Sequence, residues 1–150
     1  DDAADATSVA VQYKAGPLFV AAAHESFAAD DTAAGTRFGL GYDAGVAKVG
    51  FVYETVSDAS NVKGDDYTAF VVNAAIPVGG SNAVIAEYGV GELDSDAGDE
   101  EVTLMAIGLA HNFSKTSSAY VAYGNADVDV AGSVNDGDAS ILTAGMVVKF

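Results

Sequence analysis

The sequence predicts an all-β fold in which antiparallel strands run up and down as a barrel through a membrane. Apolar and polar residues alternate in segments of about 10 residues, which is the length of a tilted membrane-spanning strand. The connections between these segments alternate between short turns and longer Asp-rich stretches. The last segment, Ile141–Phe150, keeps its alternation up to a terminal aromatic residue, whereas the chain ends of soluble proteins usually fray into water.

Composition and charge narrow the functional class. Half of the 150 residues are apolar, yet the formal net charge is −16, and the acidic residues cluster around 1–5, 30–31, 58–66, 94–101 and 127–138. This segregation allows the chain to fold despite its charge. Six Lys and Arg are too few for a nucleic-acid partner, which requires clustered positive charge. The absence of Cys excludes disulfides and thiolate metal sites, and no apolar run reaches the ~18–20 residues of a membrane helix.

The first half of the chain predicts two hairpins. Their strands are Ser8–Ala15, Leu18–Phe27, Thr36–Tyr42 and Val46–Thr55. The third strand is the clearest, because apolar side chains at 38, 40 and 42 alternate with Arg and Gly at 37, 39 and 41. Gly-Pro at 16–17 and Asp-Ala-Gly at 43–45 supply the backbone angles of tight turns, and a loop at 28–35 separates the two hairpins.

The second half predicts five further strands, which brings the total to nine. They are Tyr67–Val78, Asn82–Gly91, Val102–Phe113, Thr116–Ala126 and Ala139–Phe150. Gly-Gly-Ser at 79–81 and Ser-Lys at 114–115 form the short turns, whereas acidic loops cover 56–66, 92–101 and 127–138. Because short and long connections alternate, all short turns lie at one end of the strands and all acidic loops lie at the other.

Three stretches resemble the general diffusion porins of Gram-negative outer membranes. They are Ala-Gly-Pro-Leu-Phe-Val-Ala-Ala-Ala at 15–23, the turn Asn-Phe-Ser-Lys-Thr at 112–116, and the last strand ending at Phe150. The resemblance implies a passive, water-filled channel for small hydrophilic solutes and ions, built as a barrel of about 16 strands. It also implies a homotrimer surrounded by lipid bilayer and lipopolysaccharide, with short turns in the periplasm and acidic loops outside the cell. The barrel assembly machinery would recognise the last strand through Leu142, Met146, Val148 and Phe150.

The number of strands bears on whether the barrel is complete. If Phe150 ends in the periplasm, nine strands leave Asp1–Thr7 on the extracellular side. A complete bacterial barrel has an even number of strands and both termini in the periplasm. We therefore expect the chain to be the carboxy-terminal part of a larger barrel. An eight-stranded barrel with a short arm is the alternative.

The alternation also predicts which side chains face the lumen. They are Gln12, Lys14, Glu25, Arg37, Lys48, Glu54, Asn73 and Glu87. The porin resemblance implies a cluster of basic wall residues, for which Arg37 and Lys48 are the candidates. Because acidic rings favour cations, the Asp-rich loops predict a cation-preferring pore. The alternative is that the acidic residues only keep the outer surface hydrated.

Aromatic residues predict a girdle at the membrane interface. The candidates are Tyr13, Tyr42, Tyr53, Tyr88, Phe113 and Tyr123. Asp94, Asp96, Asp99 and Glu100 carry oxygen ligands suited to Ca²⁺, but their spacing does not match an EF-hand loop, and a solvated acidic loop is the favoured interpretation. No Ser/His/Asp combination or phosphate-binding Gly loop is evident, so we expect no enzymatic activity, no cofactor and no metal.

Two other classes of protein compete with the channel. A small eight-stranded outer-membrane barrel would have a filled interior and a structural or adhesin role. A secreted, acidic, all-β surface protein would expose its polar face to bulk water. The continuous apolar rows argue against the secreted protein, because no second apolar layer is available to cover them.

Overall fold

The computed structural model describes residues 5–28, 33–59, 64–96, 98–132 and 137–149. Its strands are β1 (Asp5–Ala15), β2 (Leu18–Ala28), β3 (Ala34–Asp43), β4 (Lys48–Ser57), β5 (Asp66–Gly79), β6 (Asn82–Asp94), β7 (Glu100–Asn112), β8 (Ser117–Val130) and β9 (Gly137–Val148). Each strand pairs antiparallel with the next, so that one sheet carries the strands in chain order. The prediction of nine strands running up and down is confirmed. Across the described ranges, no helix is long and apolar enough to cross a membrane.

The strands are longer than predicted at the acidic end. β6 continues to Asp94, β7 already begins at Glu100 and β8 continues to Val130, so the predicted loops at 92–101 and 127–138 are too long. The backbone ladder continues through acidic pairs such as Glu92 opposite Glu101. The prediction was wrong here because side-chain charge does not interrupt backbone pairing where the side chains reach water.

The short turns are closed by local interactions. Gly16 has a φ of +55°, a left-handed conformation that Gly adopts at little cost, and it lets Ala15 lie opposite Leu18. In the turn after β7, the Ser114 hydroxyl accepts hydrogen bonds from the backbone N–H groups of Thr116 at 3.1 Å and Ser117 at 3.0 Å. The Lys149 N–H then donates to the Thr116 carbonyl at 2.8 Å, which fixes the end of β9 to this turn.

The sheet is open at both edges. β1 pairs only with β2, β9 pairs only with β8, and within the described residues no pairing joins β1 to β9. Since the strands alternate in direction and their number is odd, β1 and β9 run the same way. Antiparallel closure of this sheet therefore requires an odd number of additional strands between its two edges.

The two faces of the sheet differ in composition. The glycine-rich face, on which Arg37 and Glu54 lie, contains every glycine of the described strands except Gly79 at the end of β5. These glycines are Gly35, Gly39, Gly41, Gly50, Gly89, Gly91, Gly108, Gly124, Gly137 and Gly145. The opposite, hydrophobic face exposes large side chains, with Leu142 74% and Val11 67% exposed. No hydrophobic side chain in the described part of the chain is buried, so no second layer covers this face.

Candidate functional site

The glycine-rich face brings together all the side chains that the sequence predicted to face a lumen. The pairing register places them on this one face: Gln12, Lys14, Glu25, Arg37, Lys48, Glu54, Asn73 and Glu87. They are confined to β1–β6. On the same face of β7–β9, no described residue between Glu100 and Lys149 is charged. The part of this face on β1–β6 is therefore a charged sector, and the part on β7–β9 between Glu100 and Lys149 is an uncharged sector.

Arg37 and Glu54 neutralise one another across β3 and β4. The two residues are register partners, and one guanidinium nitrogen of Arg37 lies 2.7 Å from both carboxylate oxygens of Glu54. The Arg37 side chain is 60% exposed and that of Glu54 27% exposed. The sequence contained a signal for this pair, because a hairpin that turns at 44–47 places residue 37 opposite residue 54.

Lys48 is also paired, at the other end of the same hairpin. Its Nζ lies 3.2 Å from Oδ2 of Asp43, while Oδ1 of Asp43 accepts a hydrogen bond from the Gly45 N–H at 3.0 Å. Lys48 and Glu54 are six residues apart on β4, so the Lys48 and Arg37 pairs are separated by about 20 Å along the strand. The two candidates for the basic cluster that the porin resemblance implies therefore lie at different levels of the face, and each has its own carboxylate.

Aromatic rings on the glycine-rich face lie over glycines of the neighbouring strand. A Cβ added to Gly145 would lie 2.5 Å from the ring of its register partner Tyr120, and one added to Gly91 would lie 2.8 Å from the Tyr67 hydroxyl. Phe19 lies opposite Gly41, but a Cβ added there would lie at an ordinary contact distance of 3.7 Å from the Phe19 Cβ. Gly91 and Gly145 let bulky rings lie flat against the sheet rather than project from it. These pairs were not predicted from the sequence, because they depend on the register in which neighbouring strands pair.

A comparison with known protein families matches most of the chain. Residues 1–131 match the family model of the Gram-negative porins. The chain belongs to the Gram-negative porin family. No curated protein sequence matches it. Since porins of this family are outer-membrane proteins, the family places the chain in the outer membrane.

Solved porin structures have the same fold as this chain. The anion-selective porin from Comamonas acidovorans is similar with a TM-score of 0.69 and 20% identity, over 95% of this chain and 47% of that one. OmpT of Vibrio cholerae, folded in vitro, is similar with a TM-score of 0.67 and 18% identity, over 95% of this chain and 53% of that one. A trimer form of OmpT gives a TM-score of 0.67 and 19% identity, over 95% of this chain and 54% of that one. The chain thus spans about half the length of these porins, and at such identities the likeness shows the fold alone.

The aromatic girdle candidates of the porin chain lie on two levels. Tyr13 and Tyr42 lie near the short-turn ends of β1 and β3, and Phe113 lies in the turn, where its ring packs edge-on against His111 at 4.8 Å between centroids. Tyr53, Tyr88 and Tyr123 lie on the hydrophobic face, five or six residues from the short turns, which is about 17–20 Å along each strand. The structure therefore does not bring the six rings to one height.

The acidic residues considered as Ca²⁺ ligands lie at the loop end of the sheet. Asp94, Asp99 and Glu100 line one hollow at the loop end, yet among the described residues no group of three or more His, Asp or Glu is arranged to hold a metal ion.

On β9, the hydrophobic face carries Leu142, Met146 and Val148, all exposed. Phe150, the fourth predicted residue of the assembly signal, lies outside the described residues.

Proposed function

We propose that the glycine-rich face lines the water-filled lumen of a barrel that passes small hydrophilic solutes and ions across the outer membrane without catalysis. The observation that carries the proposal is the separation of the two faces. All Lys and Arg of the described strands share one face with every strand glycine except Gly79, while most of the exposed large hydrophobic side chains lie on the opposite face. Alternation of lipid-facing and lumen-facing residues is how such barrels are built.

We propose that the chain is the carboxy-terminal part of a larger, trimeric barrel. Both edges of the sheet are open, and the chain spans about half the length of the solved porins that it resembles. The natural polypeptide should therefore have about twice the 15.1 kDa of this chain. Mass spectrometry of the protein from isolated outer membranes tests this expectation. A mature product close to 15.1 kDa would contradict it and would favour a small barrel.

We propose that the pore prefers cations. The net charge of −16 and the acidic residues at the loop end support this preference, since charged rings at a pore mouth select the opposite charge. The purified full-length protein should open channels in planar bilayers and give a cation-selective reversal potential in a KCl gradient. An anion-selective potential would overturn the preference, and the absence of any conductance would overturn the channel function itself.

We propose that the acidic loops face the outside of the cell and the short turns face the periplasm. The chain contains no Cys, so single cysteines provide clean reporters. Asp96→Cys in the loop after β6 should react with a membrane-impermeant maleimide on intact cells, whereas Lys115→Cys should react only after the outer membrane is opened. Labelling in the reverse order would show the opposite orientation.

We propose that bilayer lipid and lipopolysaccharide surround the hydrophobic face, and that the barrel assembly machinery recognises the last strand. Exposed Leu142, Met146 and Val148 on one face of β9 support this assignment. Phe150→Ser should reduce the amount of heat-modifiable protein in outer membranes several-fold, whereas Lys149→Ser should leave it unchanged. Equal assembly of the two variants would argue against a signal at the terminal residue.

A further inference from the structure

We propose that a hollow beside Glu87 is a subsite for solutes that carry a protonated primary amine on a short aliphatic body. The inference rests on the proposed function, because it requires the glycine-rich face to line the pore. The hollow has a volume of about 400 Å³ and lies between β4 and β8. On the glycine-rich face it is lined chiefly by Asn73, Ile85, Glu87, Ala106 and Ala122.

Glu87 is an uncompensated charge in this hollow. Arg37 and Lys48 are already held by Glu54 and Asp43, whereas Glu87 makes no hydrogen bond or ion pair with any residue that the structure describes. Lys48 reaches the rim of the hollow, but its charge is balanced by Asp43 at 3.2 Å. The hollow therefore carries one negative charge without a partner.

The floor of the hollow is mostly apolar. Gly108 lies beneath it, and a Cβ there would lie 2.8 Å from the Cβ of Ala122 and 3.0 Å from Cγ1 of Ile85. Glycine at this position lets Ile85 and Ala122 close over the backbone and form a continuous surface with Ala106. Two strand spacings separate β6 from β8, which gives the floor a width of about 10 Å.

The combination fits an organic ammonium ion better than a metal ion. Hard metal cations need several oxygen ligands, and within the described residues no such group of side chains exists. An alkylammonium needs one opposite charge and one further acceptor. Glu87 supplies the charge, and its register partner Asn73, whose amide oxygen lies over Gly50 of β4, supplies an acceptor in the same hollow. Its aliphatic body would then cover apolar surface on the floor, which is favourable in proportion to the area removed from water.

Current block by n-butylammonium tests the subsite in channels of the full-length protein in KCl. We expect butylammonium to reduce the K⁺ current at lower concentrations than ethylammonium, and butyrate to have no comparable effect. Glu87→Gln should raise the half-blocking concentration of butylammonium about fivefold, as expected for the loss of one partly exposed charge pair. Ala106→Leu, which fills the floor without changing charge, should reduce the preference for butylammonium over ethylammonium.

Glu25→Gln is the matched control. Glu25 lies on the same face of β2 and its loss removes the same charge, but it lies outside this hollow. If Glu25→Gln weakens the block as much as Glu87→Gln, the effect belongs to the general field of the pore and the subsite is refuted. Unchanged block in Ala106→Leu would refute it as well. Channels that conduct K⁺ but ignore butylammonium would overturn the subsite alone, whereas a wild-type protein without conductance would overturn the proposed function and the subsite together.

Discussion

The charges on the glycine-rich face are arranged differently in β1–β4 and in β7–β9. In β1–β4, Arg37 and Lys48 each have a carboxylate within 2.7 Å or 3.2 Å. In β7–β9, no described residue between Glu100 and Lys149 carries a charge on this face, which holds glycine, alanine, larger apolar side chains and a few uncharged polar ones. On the proposed lumen face, the paired cations therefore contribute little to the field in the pore, because a neighbouring carboxylate cancels most of the effect of each cation.

Breaking the Arg37–Glu54 pair should therefore have the largest effect on selectivity. In the full-length channel, Glu54→Gln leaves Arg37 uncompensated and should shift the reversal potential towards anions, whereas Arg37→Gln should shift it towards cations. A lone charge about 10 Å from a passing ion contributes about 0.4 kcal/mol in water, which is roughly a twofold change in permeability ratio. The double variant should restore the wild-type reversal potential. Single variants without any shift would mean that this part of the face does not border the pore.

Adding the same charge to each sector sharpens the comparison. Ala23 is the register partner of Arg37, so the carboxylate of Ala23→Glu would share the guanidinium with Glu54. Thr143 faces Ala122 in the uncharged sector, where the carboxylate of Thr143→Glu would have no cation beside it. Thr143→Glu should shift the reversal potential towards cations about twice as far as Ala23→Glu. Equal shifts would show that pairing within the wall does not screen the pore.

The aromatic–glycine pairs predict a smaller effect, on conductance rather than selectivity. Gly145→Val should displace the Tyr120 ring, whose atoms lie 2.5–2.7 Å from the position of the added Cβ, and push it away from the wall. Single-channel conductance should fall by a fraction on the order of one tenth, because one ring narrows a wide lumen only locally. Gly137→Val is the control, since nothing lies within 4 Å of its added Cβ. A similar loss in both variants would indicate a general disturbance of β9.

Most of the fold could be predicted from the sequence, because the two-residue alternation identifies the strands and the turn residues identify their ends. Alternation at positions such as 37–42 decides which face each side chain occupies, and all eight predicted lumen residues fall on one face. The features that could not be predicted depend on the register between strands. Arg37 and Glu54 were recognised singly, but only the length of the turn between β3 and β4 places them opposite one another. The ends of β6 and β8 were also missed, because acidic residues predict loops by composition while the backbone continues to pair.

At the loop end, like charges lie opposite each other, and no Lys or Arg among the described residues forms an ion pair with them. Glu101 lies between Glu92 and Asp129 in one row of register partners on the hydrophobic face, beyond the apolar rows. Directly opposed like charges on neighbouring strands destabilise a sheet by a few tenths of a kcal/mol. Glu101→Gln should therefore raise the free energy of unfolding in detergent by about 0.3 kcal/mol at low salt.

Salt provides the decisive control for this smallest prediction. At about 1 M salt the screening length falls to about 3 Å, so the gain from Glu101→Gln should vanish. Glu100→Gln is the matched variant, because Glu100 lies next to Glu101 but has the apolar partners Leu93 and Val130. It should change stability little at either salt concentration. A gain in stability from Glu101→Gln that persists at high salt would show that repulsion between Glu92, Glu101 and Asp129 is not its cause.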